Sequence, residues 1–469
     1  MSELIPAEGF TLSSGSGYSH AARLLHSLGA TLNIDAFAVE SDADSESSEE
    51  HYRAWAQSGA MALTGEAGEA PLLIPSPLAL SARGALLALK AITPAFSPDF
   101  DGAGLLGERA AIAGYRRQGS HSAGGSCRLL HTADGCIAIN LPRNDDWEQL
   151  PALLSGGERI EAIEPNDWDA LARNLTLQNS ASVLELAHLL GLAVSDACTV
   201  ATERPWLICR HTGTQKAPPT EPPLVVDLSA LWAGPLCASL LGFTGARVIK
   251  VESRQRPDGA RAGPEDFFDL MNGNKESLAL DLHREQGRAQ LKKLLQCADI
   301  VVESSRPRAL RQMGISAEVL LASKPGRVWV SITGYGRDTD NELRIAYGDD
   351  AGVAAGLSQA LHEHYGKYLL CGDAIADPLT GLHAAVAASA AWHSGNGGLL
   401  DISLQAVTRF CSEPHYRVDV PVRRQDNSWY VESGREQIKV LGPYSRCVKR
   451  KAPALGADNA RLMAEFSLA

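Results

Sequence analysis

Leu224-Val-Val-Asp-Leu228 and Arg247-Val-Ile-Lys-Val-Glu252 are two short apolar runs, joined by the turn Ala233-Gly-Pro235 and the helical stretch Leu236 to Phe243. Short continuous runs rich in Val and Ile read as strands covered on both faces, the signature of a parallel sheet. The pattern then repeats. Leu278-Ala-Leu-Asp-Leu282, Ile300-Val-Val302 and Val328-Trp-Val-Ser-Ile332 are further strands, and the amphipathic stretch Arg284 to Cys297 lies between two of them. Strands alternating with helices at this spacing predict a parallel, doubly wound sheet. Ligands of such sheets bind outside the carboxyl ends of the strands.

Upstream, the chain changes character. Gly213-Thr-Gln-Lys-Ala-Pro-Pro-Thr-Glu-Pro-Pro223 holds four prolines, so it is neither helix nor central strand and reads as a linker. Before it, two short alternating runs flank Asp134-Gly135, a strong hairpin signal, and Asp145-Asp-Trp-Glu-Gln-Leu150 opens a helix. Residues 110–212 are therefore expected to form a smaller α+β domain. The acidic stretch Glu40 to Glu50 reads as a solvated loop. The fold class is α/β: a doubly wound, Rossmann-like parallel sheet over 224–410, with the smaller domain before the linker and a tail over 411–469 packing back on the large domain.

Composition narrows the function. A formal net charge of -12 repels nucleic-acid phosphates, so no nucleic-acid partner is expected. No apolar run approaches the ~20 residues that cross a bilayer. The start, Met1-Ser-Glu-Leu-Ile, lacks the pattern of a signal peptide. Nine cysteines without a C-x-x-C pair suggest reduced thiols, and a cytoplasmic location follows as the expectation. His362 and His364 flank a glutamate at a spacing that splays their rings, so they read as solvated loop residues and no metal is expected.

A faint internal repeat is visible. Gly59 precedes Gly84 by the same 25 residues that separate Gly356 from Gly381, and Leu24-Leu-His-Ser-Leu-Gly-Ala30 echoes Leu240-Leu-Gly-Phe-Thr-Gly-Ala246. In this register Asp377, in Ala376-Asp-Pro-Leu-Thr-Gly381, corresponds to Leu80. The first copy then lacks the carboxylate of the second.

From Leu224 onward the landmarks come in a recognisable order: Val226-Asp-Leu-Ser229, Ala233-Gly-Pro235, Gly245 to Glu252, Asn274-Lys275, Asp299-Ile-Val-Val-Glu303 with Arg306-Pro307, Ser331-Ile-Thr-Gly-Tyr-Gly336, Ala376 to Gly381, and Asp401-Ile-Ser-Leu404. In this the chain resembles the family III CoA-transferases, the group of the formyl-CoA, carnitine and bile-acid CoA-transferases. Residues 124–150 resemble the family's small domain, out of its usual order, and 1–109 resemble a degenerate partial repeat of its large domain. The chain thus looks like a fused or permuted member with one live half, expected as a homodimer or an internal pseudo-dimer. It departs from the family at Trp232, where formyl-CoA transferase has a glutamine, at Ser304-Ser305 and at Arg308. Gly395-Asn-Gly-Gly398 and Gly124-Gly125 are poor counterparts of that enzyme's mobile glycine loop and read as turns.

The resemblance implies CoA transfer from an acyl-CoA donor to a carboxylic acid acceptor, with CoA as substrate and no permanently bound cofactor. Asp377 would be the nucleophile, passing through an aspartyl-acyl anhydride and an aspartyl-CoA thioester. Read alone, Asp377 followed by Pro378 is also a good helix N-cap, and the two roles are compatible. Asp373 is a second carboxylate, either an acid/base partner or a residue shaping the turn. By family position Trp232, Ala233, Arg254, Lys275 and Arg306 are the CoA-binding candidates, with Arg261 and Arg311 behind them. Racemisation or isomerisation of an acyl-CoA is the nearest alternative, but α-methylacyl-CoA racemases carry histidine where this chain has Tyr347. A non-catalytic CoA-binding subunit is the other alternative, and the retained Asp377 speaks against it.

Overall fold

The computed structural model describes residues 16–32, 47–156, 162–200, 203–214, 221–338, 341–434 and 436–468. Its centre is a seven-stranded sheet in the order Leu207–Thr214, Asn396–Ser403, Val328–Thr333, Ile300–Glu303, Leu224–Asp227, Arg247–Ser253, Glu276–Leu280. All neighbours pair in parallel except Leu207–Thr214, which runs antiparallel to Asn396–Ser403. Numbered along the chain from Leu224, the parallel strands lie in the order 3-2-1-4-5-6, and the direction of winding reverses between Leu224–Asp227 and Ile300–Glu303. The five strands read from the sequence are all present, four of them shifted or extended by one or two residues.

Three assignments differ from the sequence reading. Leu207–Thr214, assigned to the small domain and the start of the linker, is instead an edge strand of the large sheet. Residues 215–220 of the linker, and 40–46 of the acidic stretch, lie outside the described residues. The end of that acidic stretch is helical: Ser47 accepts from the Glu50 backbone N–H at 3.2 Å, and Glu49 and Glu50 sit in the first turn of Ser48–Gln57, where the helix dipole favours them. His362 and His364 lie on the helix Leu357–Tyr365, and the His362 ring stacks on Tyr368.

A three-stranded antiparallel sheet, Cys127–His131, Cys136–Asn140 and Ala193–Asp196, has its own apolar cluster around Ile137, Trp147 and Leu171. In contrast, the described residues before 107 have no separate core: one cluster runs from Ala21 through Trp55, Leu80 and Leu379 to Val440. After the large sheet the chain makes a meander, Val422–Gln425, Ser428–Ser433 and Glu436–Lys439. The chain end returns to the large sheet, where Asp458 and Asn459 accept the backbone N–H groups of Ser277 and Ala279 at 2.8 and 2.9 Å.

Two helix pairs sit side by side and meet in the same way. Helix Ala376–Ser394 packs on Ala233–Phe243, and a Cβ at Gly381 would lie 2.7 Å from the Ala233 carbonyl and 3.0 Å from Leu236 Cβ. Helix Leu78–Ile92 packs on Tyr18–Leu32, and a Cβ at Gly84 would lie 2.5 Å from the Gly17 carbonyl and 2.8 Å from His20 Cβ. The separate echo of Leu24 to Ala30 in Leu240 to Ala246, carried back along both helices, pairs Gly17 with Ala233 and His20 with Leu236.

Candidate functional site

The carboxyl ends of the parallel strands open into a cavity of about 1040 Å³ at the point where the winding reverses. Its wall comes from the ends of six strands and the segments that follow them: Leu228 to Leu231, Ser253 with Arg256, Leu282, Ser304 to Arg308, Gly334, and Leu404. Pro142 and Arg143, just after the strand Cys136–Asn140 of the three-stranded sheet, border it as well. Asp377 lines it too.

Asp377 occupies the second position of the helix Ala376–Ser394, whose N-cap is Ile375. It is thus inside the first turn and not the cap: its own N–H donates to the Ala374 carbonyl at 2.9 Å. Asp377 is half-buried, whereas Ala376 and the next fifteen residues from Pro378 are buried. Burial pushes its carboxyl up to about 7; Arg109 opposes this, Asp349 adds to it, the Ala233 backbone N–H opposes it and Asp373 adds to it. A Cβ at Gly348 would stand 2.4 Å from Asp377 Oδ2, so only glycine lets the carboxylate lie there.

Both turns that lead to this point carry a non-glycine residue in the left-handed region. Leu231, at φ 70°, precedes the helix Ala233–Phe243, and Ala374, at φ 44°, precedes Ala376–Ser394. Such a conformation costs roughly 1–3 kcal/mol and persists only where neighbours impose it. Here carboxylates do so: Asp258 accepts from the Leu231 N–H at 2.9 Å, and Asp349 from the Ala374 N–H at 2.9 Å. The Leu231 turn brings the N-terminus of Ala233–Phe243 to the Asp377 carboxyl, the Ala374 turn starts the helix that carries it, and unsatisfied first-turn N–H groups stabilise negative charge.

Arg109 is the residue that sequence reasoning missed. It belongs to the helix Glu108–Ala113, and its Nε and Nη2 donate to the two oxygens of buried Asp373 at 2.9 and 2.5 Å. Its guanidinium lies 5.3 Å from the centre of the Trp232 ring. Burial works against its charge, but Asp373, then Asp349 and Asp377, hold its pKa well above the ordinary value. Asp373 is therefore an ion-pair partner at the turn. Asp349 is pushed up to about 6, first by burial and then by Asp373. Asp350 is pushed up to about 7 by burial, and Asn140 of the small sheet donates to it at 3.0 Å.

The CoA candidates divide. Ala233 lines the cavity beside Asp377. Arg306 lines it as well, and burial with the nearby Arg143 and Arg308 lowers its pKa, so it stands among cations without a carboxylate partner among the described residues. Trp232 is buried behind the wall, edge-on to Phe267, and does not line the cavity. Arg254 turns away, its Nε donating to the Ala279 carbonyl at 3.3 Å, while Arg256 faces the cavity in its place. Lys275 is an internal ion: its Nζ donates to Asp227 at 2.8 Å, the Pro235 carbonyl at 2.9 Å and Asn272 at 3.0 Å, which uses all three donors. Arg261 and Arg311 pair with Glu252 and Glu342 at 2.6 Å.

A second buried titratable cluster lies elsewhere, formed by His20, His383 and Cys411. The His20 and His383 Nε2 atoms are 2.8 Å apart, His383 Nδ1 contacts the Leu379 carbonyl at 2.7 Å, and Arg23 donates to His20 Nδ1 at 3.0 Å. That arrangement satisfies two neutral imidazoles with one proton each. The arginine at His20 also disfavours a cation there.

Residues 223–459, just over half of the chain, match the model of CoA-transferase family III. The chain is similar to an acyl-CoA transferase of Fusarium pseudograminearum, 31% identical over 199 residues, 38% of this chain and 44% of that protein. It is likewise similar to a formyl-CoA:oxalate CoA-transferase of Afipia carboxidovorans, 31% identical over 199 residues, 40% of this chain and 47% of that one. The chain therefore spans about half the length of these curated relatives. A solved CAIB/BAIF family protein from Brucella suis matches 46% of this chain and 65% of its own at 23% identity, with a TM-score of 0.37. Among the described residues no helix is long and apolar enough to cross a membrane.

Proposed function

The chain belongs to CoA-transferase family III, and on that premise we propose that it moves CoA from an acyl-CoA to a carboxylic acid with Asp377 as nucleophile. The observation that carries the reading is a carboxylate at the wall of an arginine-bordered cavity, placed where the winding of a Rossmann-like sheet reverses. Arg256, Arg306 and Arg308 suit the phosphates of CoA, since guanidinium groups match phosphate oxygens in pairs. The thioester end then reaches Ala233 and Asp377.

In this scheme an Asp377 oxygen attacks the thioester carbon, the C–S bond breaks, and CoA thiolate leaves an aspartyl-acyl anhydride. The thiolate attacks the aspartyl carbonyl, expels the donor acid and forms an aspartyl-CoA thioester. The acceptor carboxylate attacks that thioester and reverses the sequence, restoring Asp377. Splitting the exchange in this way replaces one difficult displacement with easier ones. In this scheme the N–H of Ala233, which reaches the Asp377 carboxyl, and its helix terminus hold the developing oxyanion. Tyr347 also lines the cavity, and burial raises its pKa, so the phenol stays protonated near neutral pH and does not supply the base that the racemase alternative needs.

The matching contacts at Gly84 and Gly381 support reading 1–109 as a partial repeat of the large domain, with Leu80 in place of the nucleophile. One site per chain follows. The test is CoA exchange between a panel of acyl-CoAs and labelled carboxylic acids. Asp377→Asn is expected to abolish exchange while binding CoA within about twofold of the parent; exchange that survives removes Asp377 from the scheme.

A further inference from the structure

The part of the chain that lacks a nucleophile still sends one cation to the site. Arg109 lies 264 residues before Asp373, yet its fork grips that carboxylate, and Asp373 immediately precedes the strained Ala374 whose carbonyl accepts the Asp377 N–H. We propose that Arg109 is a positioning residue for Asp377, which fixes both the turn before the nucleophile and the charge around it through the cluster Arg109, Asp373 and Asp349. The proposal rests on reading Asp377 as the nucleophile.

The cluster is unbalanced by design of its neighbours. Asp349 and Asp373 are buried, Asp377 is half-buried, and one guanidinium serves all three carboxylates. The charged groups facing Asp377 are Arg109, Asp373 in the preceding turn, and Asp349 on the helix Gly348–Ala354; the helix Ala233–Phe243 brings a backbone N–H, and Arg306 lines the same cavity. Without a cation, closely spaced buried carboxylates share protons, and a protonated Asp377 does not attack. Arg109 favours the ionised nucleophile. Asp373 takes up two of its donors and blunts its pull, leaving the nucleophile basic enough to react.

The support beneath Arg109 is also built in. Its neighbour Glu108 is buried and accepts from the Arg446 backbone N–H at 3.1 Å, its Nε at 2.6 Å and its Nη2 at 2.9 Å. Arg446, 338 residues further along the chain, thus clamps the helix that presents Arg109. The guanidinium is flanked by Trp232 and Tyr115, at 5.3 and 5.9 Å from the ring centres, which gives the buried Trp232 a role in holding the arginine.

The experiment follows the Asp377 carboxyl directly, by carbon-13 NMR of protein labelled at aspartate, with its resonance identified by its loss in Asp377→Asn. Arg109→Gln is expected to move the Asp377 midpoint up by about 1–2 pH units, and Asp373→Asn to move it down. Arg109→Lys, which keeps the charge and loses the fork, falls between wild type and Arg109→Gln. A role in stability alone would lower the melting temperature and leave all midpoints in place, and that result overturns the inference. If Arg109→Gln does not fold, the opposed shifts of Arg109→Lys and Asp373→Asn decide it by the same criterion. Mass mapping of acyl adducts on the wild type separates the two readings. A missing adduct defeats Asp377 as nucleophile, whereas an adduct with unmoved titrations defeats only the role of Arg109.

Discussion

Replacing Lys275 by Met tests whether this lysine serves the fold or the ligand. The side chain is buried, and so is Asp227, its partner at 2.8 Å. Methionine keeps most of the apolar stem, so the change removes the charge and three donors with little loss of packing. Asp227 would keep the Ser229 N–H at 2.9 Å and the influence of Lys250, but Lys250 already serves Asp258 at 2.9 Å and the Ser229 carbonyl at 3.0 Å. Breaking a buried ion pair by removing one member costs about 3–5 kcal/mol, because the survivor is stranded. The expected result is therefore a loss of about 3–5 kcal/mol in urea unfolding, with CoA affinity by calorimetry within about twofold of wild type. Lys275→Met with Asp227→Asn should recover part of the loss, since the stranded charge is gone. A variant that loses less than about 1 kcal/mol of stability while CoA binds tenfold more weakly (about 1.4 kcal/mol) would refute the argument and return Lys275 to the ligand.

Four further outcomes follow from the structure. Arg306→Gln should weaken CoA binding about tenfold and flatten its salt dependence, whereas Arg254→Gln should change neither; equal effects would mean the two arginines share the ligand. The rate should fall on the acid side with a midpoint near the Asp377 value of about 7, because the carboxyl must be ionised to attack; a profile flat to pH 5 contradicts this. The same upward shift contributes stability at low pH that is lost as pH rises through about 7, so Asp377→Asn should be more heat-stable than wild type at pH 8 and differ less at pH 5. Gly381→Ala and Gly84→Ala should each cost about 1 kcal/mol, overpacking outweighing helix propensity, but only Gly381→Ala, which presses on Ala233, should reduce turnover per folded molecule.

How much of this was legible in the chain depends on the range of each interaction. Strands covered on both faces announce themselves locally, which is why Leu224–Asp227 and Val328–Thr333 were readable. Their order was not, since pairing is set by residues far apart. Leu207–Thr214 escaped notice because an edge strand with Arg210 and His211 exposed carries no continuous apolar run. The meander over 422–439 was missed although its signal was present: Asp426 and Asn427, at φ 46° and 63°, form the two-residue turn between Val422–Gln425 and Ser428–Ser433. Asp377 was readable from its neighbours in sequence. Arg109 was not, because its partner is 264 residues away; the only local hint was two adjacent charges, Glu108 and Arg109, between apolar Leu105-Leu106 and Ala110-Ala111-Ile112. Arg254 and Arg256 differ by two positions, and only the folded strand end decides which one meets the cavity.

The central claim is that Asp377 becomes covalently acylated and then carries CoA. Incubation with an acyl-CoA panel, trapping with hydroxylamine or borohydride, and mass mapping of peptides tests it most directly. The expected result is a trapped modification on the peptide containing Asp377, absent from Asp377→Asn. A modification on any other residue, or none with any thioester while CoA still binds, would contradict it.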